Sequence, residues 1–348
     1  MRARAGWALG VVVAMALAGC ASGGSESEVV ADAGSDGRFD LSGTTIRVGT
    51  AQEQTLGIGF SYALEVLEGW GAEVQRESLT NVSGLEAMVA DRIDIAARSS
   101  DELITGVSTG VDVRAIGAPV STMHYAFIGT AEAGDLEALR GKQIAISGPG
   151  GFDTLLIRAL LQDRGMDADR DVTLVPIGGS SERTAALLAG QVSAAVVFMD
   201  NWFQLQRQSE SLRLIGYMEE LLPGLSARAI FAEGAYLDAN PQVATAIACA
   251  NLEANRWVTD NKQQFVAFAT ERVRGADEEA VSQFYDAATE VGLFPTDPSR
   301  VLTVESYQAT ADLMLEQGVI DAPVDAAQVV DTSFLEEAGS QGCGTAPG

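Results

Sequence analysis

Apolar and polar positions follow two periods along most of the chain. Short apolar runs bounded by glycine or polar clusters predict strands over 45–49, 72–77, 93–97, 113–118, 125–129, 143–147, 172–177, 192–199, 212–215 and 228–232. Between them apolar residues recur at helical spacing, predicting helices over 55–68, 84–90, 100–108, 154–164 and 182–189. Ser83 with Glu86, and Ser99 with Glu102, have the spacing of capping boxes. Strands alternating with helices indicate an α/β fold with mainly parallel sheets.

The most informative stretch is 139–177, which reads as strand, glycine loop, helix, strand, and so as a right-handed βαβ unit. Gly148-Pro149-Gly150-Gly151 cannot continue a strand, because proline lacks a donor and glycine weakens a ladder. Leu155, Leu156, Ala159 and Leu160 then mark a helix that Gly165 ends. The loop feeds a helix N-terminus, where free N–H groups favour a carboxylate, sulfonate or phosphate. It lacks the Gly-Lys-Ser/Thr ending of a phosphate loop and the G-x-G-x-x-G spacing of a dinucleotide site, so a plain tight turn is the simpler reading.

LEAMVADRIDIAA at 85–97 and TAALLAGQVSAAV at 184–196 share one pattern, a short helix, a break and an apolar strand. This weak repeat suggests two α/β lobes built alike. After Pro223 the chain is mostly helical, over 241–260, 262–270, 278–291 and 299–317. With few strands of its own, that part should pack on the first lobe. The expected organisation is lobe I from 42–130 and 224–335, lobe II from 131–223, and a tail from 336–348. The chain would cross between lobes near 125–133 and near 217–231.

Charge narrows the partners. The 348 residues carry a net charge of −26 and no basic stripe, which argues against nucleic acid. Arg2 and Arg4 precede an apolar run from 7 to 18 that reads as a signal peptide over 1–19. Its ending, Leu17-Ala18-Gly19-Cys20, resembles the bacterial lipobox, which implies cleavage before Cys20, a lipid on that residue and a membrane-anchored, extracytoplasmic protein. Residues 20–41, rich in Gly, Ser, Asp and Glu, should then be a flexible tether. The remaining cysteines, Cys249 and Cys343, are expected to pair in an exported protein and pin the tail to a long helix. Two such thiols and a single histidine, His124, leave no set for a Cys/His zinc site, and no metal is expected.

Leu139-Arg140-Gly141-Lys142, the strand at 144–148, the stretch DRGMDADRD at 163–171, Ala185–Gly190 and the strand before Asp200 are similar to the second lobe of the SsuA/THI5-like (NMT1-type) substrate-binding proteins. The resemblance covers nearly all of 44–335. It implies a two-lobed periplasmic-binding fold of type II that closes on its ligand by hinge motion. It also implies docking on an ABC permease with its ATPase, action as a monomer, no catalysis and no cofactor. The first helix departs from the family pattern: 52–59 is EQ-rich with two glycines, and Trp70-Gly71 stands where many members carry a Gly-Phe-Phe-like stretch. This region also resembles the TAXI receptors of TRAP transporters.

Ligands of open α/β sheets sit beyond the carboxyl ends of strands. That places Gln52, Gln54, Thr55, Ser83, Arg98, Ser99 and Ser100 in one lobe, and Gly150, Gly151, Phe152, Asp153, Thr154, Ser180, Asp200 and Trp202 in the other. Ser83, Ser99 and Asp153 equally read as helix caps. Arg98 reads as an anion partner or as one half of a salt bridge to Asp94 or Asp101. Phe152 and Trp202 could stack on a flat ring, though Trp202 equally reads as core. His124, near the hinge, is a second-tier candidate. Arg98 and the helix N-termini argue for an acid, and the rings with Asp153 and Asp200 for an aromatic or nitrogenous heterocycle. The balance leans to the heterocycle, since two acids repel a bare anion, with a sulfonate or other small acid next.

The leading function is a lipid-anchored solute receptor of an ABC importer. The alternatives are a THI5-like pyrimidine-synthesis enzyme, against which the signal peptide and lone histidine argue, a TAXI-type TRAP receptor, and a ligand-sensing lipoprotein.

Overall fold

The computed structural model describes residues 37–50, 54–79 and 82–345. The signal peptide, Cys20 and Gln52 lie outside the described residues. The chain opens with β1 (Thr45–Thr50), α1 (Ile58–Gly69), β2 (Glu73–Ser78), α2 (Gly84–Val89), β3 (Ile95–Ser99), α3 (Ser100–Ser108) and β4 (Val113–Gly117). There follow β5 (Tyr125–Thr130), β6 (Gln143–Ile146), α4 (Phe152–Asp163), β7 (Thr173–Pro176), α5 (Ser180–Leu188), β8 (Ala194–Phe198), α6 (Met199–Gln208), β9 (Leu212–Tyr217) and the short α7 (Met218–Leu221). The last part holds β10 (Arg228–Glu233), α8 (Gly234–Ala239), α9 (Pro241–Asp260), α10 (Lys262–Arg272), α11 (Glu278–Glu290), α12 (Pro298–Val301), α13 (Val304–Glu316) and α14 (Ser333–Ser340).

The strands form two sheets, ordered β2-β1-β3-β10-β4 and β7-β6-β8-β5-β9. In each, the first three strands are parallel and the fourth runs antiparallel to both neighbours. The fold is thus α/β with two lobes, and the lobes repeat one plan. The repeat seen in the sequence corresponds to α2 with β3 and α5 with β8. Each antiparallel strand is the one the chain builds on arriving from the other lobe.

That exchange corrects the expected boundary. The strand at 125–130 pairs with β8 and β9, so it belongs to lobe II, and the first crossing is 118–124. The second crossing runs through α7 to 227. Sequence pattern could not assign β5, because its partners lie about 70 and 90 residues downstream in the chain and antiparallel pairing leaves no local signature.

Helix α9 is the spine of lobe I. Pro241 starts it at a position where no N–H is required, and it is buried on most sides against α1, β4 and α14. Tyr62 of α1 stacks on Trp257 with ring centres 4.1 Å apart. Asn251 uses its Oδ1 to accept from the Ala118 N–H at 2.9 Å, tying the spine to the first crossing. The helix expected over 299–317 is instead two, α12 and α13, because Leu302 is extended and Thr303 caps the second at the Ser306 N–H. Ser99 does not cap α3 by its side chain; Glu102 turns away to accept from the Leu85 N–H at 2.8 Å.

Both ends of the described chain fasten to α9. Phe39 and Leu41, in the stretch expected as tether, pack against Trp70 and the core. The glycine-rich tail contains α14, which lies on α9, and Cys343 is bonded to Cys249. Glu253 accepts from Arg38, Arg256 and the Gly344 N–H, so one carboxylate gathers both termini. A loop of this length makes the disulfide worth about 2–5 kcal/mol. Replacing both cysteines by serine should lower the unfolding free energy by that amount. Hydrogen exchange should rise first over 333–345, with ligand affinity unchanged.

Candidate ligand-binding cleft

The parallel strands of each sheet end at loops that face one another across the crossings. Tyr125, the first residue of β5, stands in the middle. Its ring meets Phe198 at 5.2 Å and Phe152 at 6.4 Å, while His124 stacks on Tyr125 at 4.5 Å and on Phe198 at 5.4 Å. Burial, with Asp153 and Asp101 nearby, pushes the Tyr125 phenol above its usual range, while Arg183 and Arg228 oppose that shift. One phenol thus senses an acid and a base from each lobe. His124 is 1% exposed, and neither ring nitrogen finds a partner among the described residues. Burial and the charge of Arg228 hold it neutral.

The glycine loop folds onto itself. Asp153, in the first turn of α4, accepts from the Ser147 N–H at 2.9 Å and from the Ser147 hydroxyl, and lies 3.7 Å from Arg183. Thr154 donates to the Gly148 carbonyl at 2.6 Å. A Cβ on Gly151 would fall 1.8 Å from the Ser147 Oγ, so only glycine allows this closure, whereas Gly150 faces open space. The loop thus closes as a tight turn, with the chain's own first-turn carboxylate turned to Ser147 and Arg183.

Asp200 plays a similar part across the cleft. It is 4% exposed, sits in the first turn of α6 and accepts from the Asn201 N–H at 3.0 Å. The backbone N–H groups of Leu56 and Thr55, in lobe I, also hold its carboxylate, yet burial outweighs them and raises its pKa to about 6. Ser180 is spent nearby, donating to Asn201 at 2.5 Å and accepting from the Phe198 N–H at 2.9 Å. Trp202 is core rather than a stacking platform.

In lobe I the candidates divide as sharply. Ser83 caps α2 by accepting from the Glu86 N–H at 2.9 Å. Ser100 is fully buried and donates to the Ser226 carbonyl at 2.9 Å, so it fixes the second crossing rather than a ligand. Arg98 pairs with Glu102 at 3.2 Å, not with Asp94, which holds Arg47, nor with Asp101. Ser99 hydrogen bonds Asp101, whose pKa burial raises to about 6 and whose Oδ1 is buried with no partner among the described residues. Thr55 is buried and Gln54 lines the adjoining cavity.

The residue that sequence reasoning missed is Arg228. It opens β10 directly opposite Ser99, and its side chain donates to the Ala97 carbonyl at 2.8 Å. No carboxylate among the described residues pairs with it, and burial works against its charge. It lines a cavity of about 560 Å³ with Thr50, Gln54, Leu56, Ala97 and Pro119. Its place depends on the β3–β10 pairing, which joins residues about 130 positions apart, so no local signal marked it. No three His, Cys, Asp or Glu side chains gather as a metal site among the described residues.

Among solved structures, the alkanesulfonate-binding SsuA of Xanthomonas axonopodis pv. citri, bound to MOPS, is 18% identical with a TM-score of 0.67, over 83% of this chain and 99% of that one. The periplasmic nitrate-binding NrtA of Synechocystis is 17% identical with a TM-score of 0.66, over 85% and 88%. The ligand-binding component of an ABC-type import system from Staphylococcus aureus, with zinc bound, is 15% identical with a TM-score of 0.68, over 85% and 99%. No curated protein sequence matches the chain. The family model described as NMT1/THI5 like matches residues 71–265, more than half of the sequence, and the chain belongs to that family.

Proposed function

We propose that the protein is an extracytoplasmic receptor of an ABC importer. It is anchored by a lipid on Cys20, captures a small organic acid between its lobes as a monomer, and delivers it to a membrane permease and its ATPase. The single observation behind the ligand class is Arg228, a desolvated cation in the cleft with no carboxylate partner among the described residues. An unpaired buried charge is costly, and an anion relieves it. Asp153 and Asp200, the acids that would repel an anion, are held by Ser147, Arg183 and backbone N–H groups. The rings of Tyr125, Phe152 and Phe198 suit a flat or apolar body beside the anionic group. The order of ligand classes drawn from sequence is thus reversed.

Asp101 favours a second reading, because its unpartnered oxygen invites a ring N–H or amine. Catalysis of the THI5 type has less support. The two lysines of the sequence pair on the surface, Lys142 with Glu132 and Lys262 with Asp286, away from the cleft. Among the described residues no helix is long and apolar enough to cross a membrane.

A thermal-shift screen tests the acid reading, with alkyl and aryl sulfonates, aromatic acids, nitrate and uncharged heterocyclic vitamins. An acid should raise the melting temperature with concentration. Arg228→Gln should weaken that acid roughly ten- to hundredfold, the range of a charge-assisted hydrogen bond. A neutral heterocycle that binds wild type and Arg228→Gln alike would refute it.

The two raised acids set a pH dependence. Asp101 and Asp200 both have folded pKa values near 6, above the ordinary 3.8, so the folded form holds their protons longer than the unfolded chain. Their contribution is full below about 4 and is lost as pH rises through 6, about 3 kcal/mol for the buried Asp200. Unfolding of wild type and Asp200→Asn between pH 4 and 7 should show the variant gaining relative stability as pH rises. Parallel curves would refute it.

A further inference from the structure

The cavity that Arg228 lines does not stop at the cleft. Its lining, drawn from lobe I and the first crossing, also includes Phe60, Leu64 and Glu65 of α1 and Arg272. Glu65 lies roughly 10 Å from the helix start at 1.5 Å per residue. Only 6% exposed, it pairs through Oε1 with Arg272, and the guanidinium lies over the Phe268 ring at 3.9 Å. The other carboxylate oxygen, Oε2, is buried with no partner among the described residues, and so is the Nε of Arg272. One ion pair thus leaves both an acceptor and a donor unmet beside the same cavity. Glu68 and Arg76 pair with each other at 2.7 Å along the same wall.

The chemistry of an occupant follows from those two atoms. The pair is already neutral, so an ammonium would face Arg272 and a carboxylate would face Glu65. A hydroxyl or a carboxamide donates to Oε2 and accepts from Nε at once. A purely apolar end would leave both groups unpaired.

We propose that Glu65 and Arg272 form a second subsite continuous with the cleft, and that the ligand is an elongated acid whose anionic end meets Arg228 and whose hydroxyl or carboxamide end meets this pair. The proposal rests on the acid-receptor reading and makes it narrower. Ser61, half-buried and uncharged, lines the same cavity one helical turn before Glu65.

The test is calorimetric titration of the full chain with ω-hydroxy acids of increasing length and their ω-methyl isosteres. At one length the hydroxy acid should bind about tenfold tighter than its isostere, the yield of a satisfied hydrogen-bond pair. Glu65→Gln should shrink that ratio toward one while the methyl isostere keeps its affinity. Ser61→Phe, which leaves the ion pair intact, should shorten the longest acid accepted. Acids that bind with no hydroxy preference at any length, or a length limit unmoved in Ser61→Phe, overturn the subsite and leave the acid receptor standing. Failure of every acid to bind wild type overturns both.

Discussion

The antiparallel ladder between β3 and β10 is the constraint on which the site depends. It sets Arg228 opposite Ser99 and Ala229 opposite Arg98, so the residues that leave the first sheet meet those that arrive from the second lobe. The same ladder fixes the second crossing, because Ser100 donates through its hydroxyl to the Ser226 carbonyl and through its N–H to the Ala227 carbonyl there. Its counterpart, β5 against β8, places Tyr125 opposite Phe198. Two crossings and two borrowed strands thus carry the aromatic and the cationic halves of the cleft to one place.

Which charges remain available in the cleft is decided by backbone groups as much as by side chains. A carboxylate at a helix N-terminus gains from the dipole and from free N–H groups. Asp153 takes that position on α4, and Asp200 takes it on α6 while reaching the start of the first helix in lobe I. Both first-turn carboxylates are thereby held by the chain itself. Among the described residues, what is left over is Arg228, without an ion pair, beside an Arg98 already joined to Glu102, and one unpartnered oxygen of Asp101.

Local patterns were legible wherever the determinants are local. The helix over 241–260 matches α9 residue for residue, since Pro241 starts it and its apolar positions persist around the cylinder. The cap at Ser83 and the unit around the glycine loop followed from spacing alone. What was not legible rests on pairs far apart in the chain. The sheet to which 125–130 belongs and the placing of Arg228 both depend on register between distant strands. The glycine loop is a related case: a first-turn aspartate reads as a cap in sequence, and only the folded loop shows its carboxylate closed on Ser147.

A receptor is useful when its closed form is favoured by ligand, and a ligand shifts that balance only by its differential affinity for the two forms. The contacts that span the cleft bear on this directly. Asp200 joins the lobes through the N–H groups of Thr55 and Leu56, yet its raised pKa shows that burial takes back more than those bonds supply. Arg228 is likewise desolvated and forms no ion pair among the described residues, with the charge of Glu102, already held by Arg98, offsetting this only in part. The arrangement thus leaves one carboxylate and one guanidinium of the cleft incompletely compensated, and incomplete compensation of a buried ion is costly. On the proposed acid reading, an anion beside Arg228 would offset part of that cost in a closed arrangement and would gain less in an open, hydrated one. The cation proposed to select the ligand would then also make closure conditional on it.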